Sequence, residues 1–135
     1  MALDYGRKRT GIAVTDMLQI SINPLPTIDT KLLFDFLTEY LKCNEVEDLV
    51  IGFPTHADGN PTHLALEIEK FTNTLKLKFS TLRINFVDEA YTSKEARNIM
   101  IQMGVKKKER MKKENIDKGS AILILKSFLD QKYEI

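Results

Sequence analysis

Three acidic positions could carry chemistry in this chain: Asp4 near its start, the pair Asp88-Glu89 two thirds along, and Asp117 near its end. Asp4 closes a short apolar run, and an acid inside a central strand is costly unless it is paired or holds a metal. Taken alone, Asp4 reads more simply as an Asp that begins a turn. Asp88-Glu89 ends an alternating run, and active sites in open α/β sheets gather at strand C-termini; loop polarity is the plain alternative. Asp117 precedes Ala121, Ile124 and Phe128 by four, seven and eleven positions, so all four share one helix face. A helix dipole favours Asp in a first turn, but that does not explain why this Asp heads an apolar stripe. Brought together, Asp4, Glu89 and Asp117 would repel and raise one another's pKa values. A pair of divalent cations relieves this, and oxygen ligands with open water positions suit Mg²⁺ or Mn²⁺ rather than zinc. Such a centre suits in-line phosphodiester hydrolysis, one metal activating water and the other stabilising the leaving oxygen.

The elements must then bring the acids together. Met1 to Asp16 reads as a β-hairpin around a basic turn, Arg7-Lys8-Arg9, framed by Gly6 and Gly11. Leu18, Ile20 and Ile22 alternate into a third strand that ends in Asn23-Pro24-Leu25-Pro26, as an edge strand can. A helix capped by Asp29 or Thr30 runs to about Lys42, with Leu32, Leu33, Phe36, Leu37, Tyr40 and Leu41 at helical spacing. Asp48 to Phe53 is a continuous apolar run, which suits a parallel strand buried on both faces. Pro61 starts the next helix, with Leu64, Ile68, Phe71 and Leu75 on one side. Leu82 to Val87 is the following strand. Thr92 or Ser93 caps a further helix that Gly104 terminates. The last helix runs from about Ile116 to Gln131, capped by Asn115; Gly119 within it allows close approach to the sheet.

Between the last two helices, Val105 to Glu114 holds six basic residues against two acidic ones. A solvated loop is the usual meaning of such a run. Bordering a catalytic site, it becomes a phosphate-attracting arm. His56 and His63 lie in and beside a loop without further metal-ligand partners, and read as polar surface groups.

The chain's 135 residues suit a single domain, 1–135, with a core that needs no staples. Twenty basic and nineteen acidic residues nearly cancel, so a nucleic-acid role must come from local clustering. One cysteine, Cys43, excludes an internal disulfide and suits a reducing interior, its thiol packed at a helix end. No apolar run reaches the length of a membrane span and no signal peptide precedes the first strand, so a cytoplasmic location is expected.

Leu3-Asp4-Tyr5-Gly6-Arg7-Lys8-Arg9-Thr10-Gly11-Ile12-Ala13-Val14-Thr15-Asp16 resembles the opening of the bacterial YqgF (RuvX-like) family. Val50-Ile51-Gly52-Phe53-Pro54 with Asp58-Gly59, and Asp88-Glu89 with Thr92-Ser93, are similar to its second and third motifs. Ile116-Asp117-Lys118 with Ala121 to Leu125 is similar to its fourth, so the resemblance spans essentially the whole chain in order. It implies an α/β, ribonuclease-H-like fold: a five-stranded mixed sheet, an antiparallel three-strand meander plus parallel strands, flanked by helices. It also implies a metal-dependent nuclease with Asp4, Glu89 and Asp117 as ligands of two Mg²⁺ or Mn²⁺ ions. Family members are described as Holliday-junction resolvases and as nucleases maturing the 5′ end of pre-16S ribosomal RNA, and the RNA role is the one expected here. Structured RNA or branched DNA would be held by Arg7, Lys8 and Arg9 on the hairpin and by Lys106, Lys107, Lys108, Arg110, Lys112 and Lys113 on the basic run. The chain departs from the family at Ala90, where an Arg usually follows the acid, at Gly119, and around His56. The missing Arg motivates an alternative, a non-catalytic RNA-binding ribosome-assembly factor. A third reading, an actin- or sugar-kinase-like ATPase built on Asp4-Tyr5-Gly6 and Gly11, would need a second comparable domain that a chain this short does not hold.

Overall fold

The computed structural model describes residues 1–53, 63–88, 101–102, 104, 106, 108 and 113–132, with backbone alone at residues 88 and 113–118. Five strands form one sheet: β1 (Ala2–Tyr5), β2 (Arg9–Thr15), β3 (Ile22–Asp29), β4 (Asp48–Phe53) and β5 (Arg83–Asp88). The order across it is β3-β2-β1-β4-β5, so β1 is central. β1, β2 and β3 pair antiparallel as a meander, while β4 runs parallel to both β1 and β5. This is the mixed sheet expected from the order of elements.

Helices cover both faces. Alternation along each strand sends Leu3, Ile12, Leu49 and Ile51 to one side, where they pack with Leu33 and Leu37 of α1 (Leu33–Cys43) and Ile68 and Leu75 of α2 (His63–Lys78). Their neighbours Ala2, Ala13 and Val50, with Val87, face the other side against Ala121, Ile122, Ile124 and Leu125 of α3 (Lys113–Lys132). That is why β4 has no polar face: it is buried on both. Alanines at Ala2, Ala13 and Ala121 keep the second interface thin, and Gly119 of α3 is buried as well. No helix among the described residues is long and apolar enough to cross a membrane.

The structure corrects several boundaries. Leu18 and Ile20 are not strand residues; each is 77% exposed in a loop. The Asp16 carboxylate accepts hydrogen bonds from the backbone N–H of Ile20 at 2.7 Å and of Ser21 at 3.4 Å, turning the chain before β3 can begin. Pro24 and Pro26 fall in the middle of β3 rather than at its end, tolerated because β3 is an edge strand. A 3-10 turn, Thr30–Leu32, precedes α1, and neither Asp29 nor Leu32 makes a side-chain cap hydrogen bond. Thr30 does not cap either; its hydroxyl donates to the Gly6 carbonyl instead. Gly11 lies within β2 rather than framing the turn. α3 begins at Lys113, so Asn115 sits inside it and is no cap; nothing from Lys113 to Ile116 breaks a helix. Cys43 does end α1, but it is exposed rather than packed. Ile101 and Gln102 are helical and Gly104 takes φ +80°, the left-handed conformation of a helix stop. The expected starts at Pro61 and Thr92 or Ser93, and the loop around His56, lie outside the described residues.

Candidate functional site

Asp4 occupies the C-terminal half of the central strand and is half-buried. It shares the face of Ala2, which packs under α3. Its partner across β2 is Gly11. On the other side Leu3 pairs with Ile51 of β4, and the next residue of β4 is Gly52. The carboxylate is thus bordered on both neighbouring strands by residues without side chains. Glycine inside a strand weakens it, and is kept where another group must come close. From sequence, Gly11 reads as framing a turn and Gly52, with Pro54, as the stop of an apolar run; the structure puts both inside strands. The signal that would have found them is a glycine inside each of two apolar runs.

The remaining acids follow from how β5 and α3 are laid. Leu3, Ile51 and Phe86 lie side by side across β1, β4 and β5, so Asp88 ends β5 on the edge of the sheet where Asp4 lies. Glu89 is the next residue and lies outside the described residues, as does the Asp117 side chain; the Asp117 backbone belongs to α3. α3 is held by its far end. The Lys132 ammonium donates to the Asp48 carboxylate at 3.0 Å, and Asp48 begins β4. Arg83, which begins β5, donates to the same carboxylate through Nε at 2.9 Å and Nη2 at 3.3 Å. The C-terminal end of α3 is thereby fixed at the start of the parallel strands, and the helix packs across β1, β2 and β3. Asp117 is one turn before Ala121, which is fully buried on the sheet. Because α3 starts at Lys113, Asp117 stands beyond the first turn, where the dipole explanation fades.

The basic turn divides among three directions. Arg9 shares the face of Gly11 and Ala13, and so of Asp4, and is half-buried. Arg7 leans to the opposite layer, its Nε 3.6 Å from the Glu67 carboxylate of α2. Lys8 is exposed at the tip. Tyr5, the last residue of β1, stacks near Phe71 with ring centroids 5.4 Å apart. Burial, with the Glu67 charge added, pushes its phenol above the ordinary value, so it stays protonated. The turn itself is latched. The Thr30 hydroxyl donates to the Gly6 carbonyl at 2.5 Å and lies 2.9 Å from the buried Thr10 hydroxyl, while the Thr30 N–H donates to the Lys8 carbonyl at 2.9 Å. Within the basic run, Lys106 and Lys108 are exposed, and Lys113 belongs to α3 rather than to a loop; Lys107, Arg110 and Lys112 lie outside the described residues. His63 is exposed at the start of α2.

Comparison with known proteins gives a consistent answer. The family described as "RuvX: Holliday junction resolvase" matches residues 1–131. A protein of Bacteroides fragilis named "Putative pre-16S rRNA nuclease" is 42% identical over 132 residues, covering 98% of this chain and 96% of its own. Proteins of the same name from Amoebophilus asiaticus, at 44% over 129 residues (96% of this chain, 92% of theirs), and Flavobacterium psychrophilum, at 42% over 132 (98% and 96%), are similarly alike.

Proposed function

The chain belongs to the RuvX family, and from that membership we propose a nuclease that hydrolyses phosphodiester bonds in the 5′-end maturation of pre-16S ribosomal RNA. The observation that carries this reading is Asp4: a half-buried carboxylate on the central strand, between two glycines, at the edge of the sheet where β5 ends. A phosphate group needs that much clear backbone to come within reach of a carboxylate-held cation.

The reaction is proposed to depend on Mg²⁺ or Mn²⁺ held by Asp4, Glu89 and Asp117. Among the described residues no group of three or more His, Cys, Asp or Glu is gathered around a metal site, so Asp4 needs the other two acids to complete one. The donor set fits: all three are hard carboxylate oxygens, the choice of these ions rather than of zinc. Support for Glu89 comes from its place in the sequence directly after β5, which ends on the edge of the sheet where Asp4 lies. Support for Asp117 comes from its place one turn before Ala121. When bound, the ions would lower the pKa of a water and offset charge on the leaving oxygen. The chain's own part is positional. Gly11 and Gly52 leave room for the phosphate, Arg9 places positive charge on the same face, and Lys8 meets the flanking backbone.

The deciding experiment is Asp4→Asn assayed on precursor ribosomal RNA and on a four-way DNA junction under identical salt. The wild type is expected to cleave the RNA with Mg²⁺ or Mn²⁺. The variant should lose more than about two orders of magnitude, as when one group of a preorganised charge-stabilising site is removed. Undiminished cleavage by the variant would end the mechanism; preferred cleavage of the junction would reassign the substrate to the chemistry of the family's own description. Tight RNA binding without turnover would favour the assembly-factor reading that Ala90 motivates.

A further inference from the structure

The basic corner extends beyond the hairpin. Thr30 is bonded to the turn through both its hydroxyl and its N–H, so the residue after it, Lys31, is fixed beside Lys8 by backbone hydrogen bonds rather than by chance proximity. Both lysines are exposed. The arginines of the corner already have company: Arg7 faces Glu67, and Arg9 stands across the β2–β3 ladder from Asp29. Lys8 and Lys31 engage no carboxylate among the described residues. Two ammonium groups on a rigid corner, next to the strand that carries Asp4, form a local positive field in a chain whose overall charge is only +1. Free ammonium groups exchange counterions for phosphate at little conformational cost when the backbone beneath them is fixed.

We propose that Lys31 is a phosphate-anchoring residue which, with Lys8, holds the polynucleotide backbone flanking the cleaved bond. The inference rests on the nuclease reading and names a contact which that reading does not require. It is tested by Lys31→Ala, Lys31→Glu and Lys31→Arg in the full chain, with Lys42→Ala as a control on α1, where Lys42 already lies 3.4 Å from Glu39. Affinity for a fluorescent structured RNA is measured in the Asp4→Asn background as salt is varied. Lys31→Ala should lower the slope of log affinity against log salt by about one and weaken binding roughly threefold to tenfold. Lys31→Glu should lose more, Lys31→Arg should keep the wild-type slope, and the melting temperature should not move. A Lys31→Ala slope equal to that of the parent, with the parent still binding RNA, overturns the anchor and leaves the nuclease reading intact. A wild-type chain that neither binds nor cuts RNA or branched DNA overturns both.

Discussion

At the scale of single residues, the site depends as much on absent side chains as on charged ones. Gly6 shows this most directly, because a Cβ built there would run into the backbone carbonyl of Arg9. A backbone atom cannot swing aside as a side-chain tip can, so the turn itself must shift. Gly6→Ala is expected to cost about 1–3 kcal/mol, the usual range for overpacking, read as a lower urea midpoint with an unchanged slope. The same substitution should weaken RNA binding, since Thr30 grips the Gly6 carbonyl. An acid in an apolar run makes Asp4 conspicuous, but that segment alone reads as an Asp that begins a turn, and the structure puts it inside β1 instead. Gly11 was misplaced for a physical reason: a glycine beside a turn and one opposite a strand carboxylate look alike until the register Asp4 with Gly11 is known.

Among elements, the decisive joint is the one farthest from the candidate site. Asp48 ties the start of β4 to the start of β5 through Arg83 and to the end of α3 through Lys132. Burial works to raise the Asp48 carboxyl, but the hydrogen bonds and charges of Lys132 and Arg83 outweigh it and hold the group below the ordinary carboxylate range. A carboxyl depressed in the folded chain stabilises it above the unfolded pKa, about 3.9 for Asp, and that contribution disappears as pH falls through the depressed value. Urea midpoints should therefore drop as pH is lowered below about 4. In Asp48→Asn the drop should be shallower and the neutral-pH midpoint lower. Equal acid slopes for the two proteins would exclude Asp48 as a titrating clamp. Sequence periodicity located β4, α2, β5 and the buried stripe of α3, because burial writes itself into spacing. It missed the starts of β3 and α3. The first is set by the Asp16 carboxylate bonding to Ile20, the second by an uninterrupted helix-forming stretch, and neither leaves an apolar period.

For the molecule as a whole, Asp4, Glu89 and Asp117 lie far apart along the chain, so a common site for them exists only once the chain has folded. A metal bound by them would bind the folded state and not the unfolded one. Mg²⁺ at a hundred times its Kd should then stabilise the chain by about 2.7 kcal/mol, seen as a rise in melting temperature in the wild type and its loss in Asp4→Asn. An equal rise in both proteins would assign the effect to ions elsewhere on the surface. The order of strands and helices was readable because three strands, then alternating helices and strands, admit few sheets of this kind. The proposal that the acids meet comes only from the resemblance to a family, since spacing alone says nothing about which strands become neighbours.

One border of the sheet has a bearing on life in a crowded solution. β3 is eight residues long and forms the outer rim, yet Pro24 and Pro26 leave it without amide hydrogens at two places. A strand from a neighbouring molecule seeking to zip onto that rim finds gaps where it needs donors. The prolines so guard against polymerisation at high concentration.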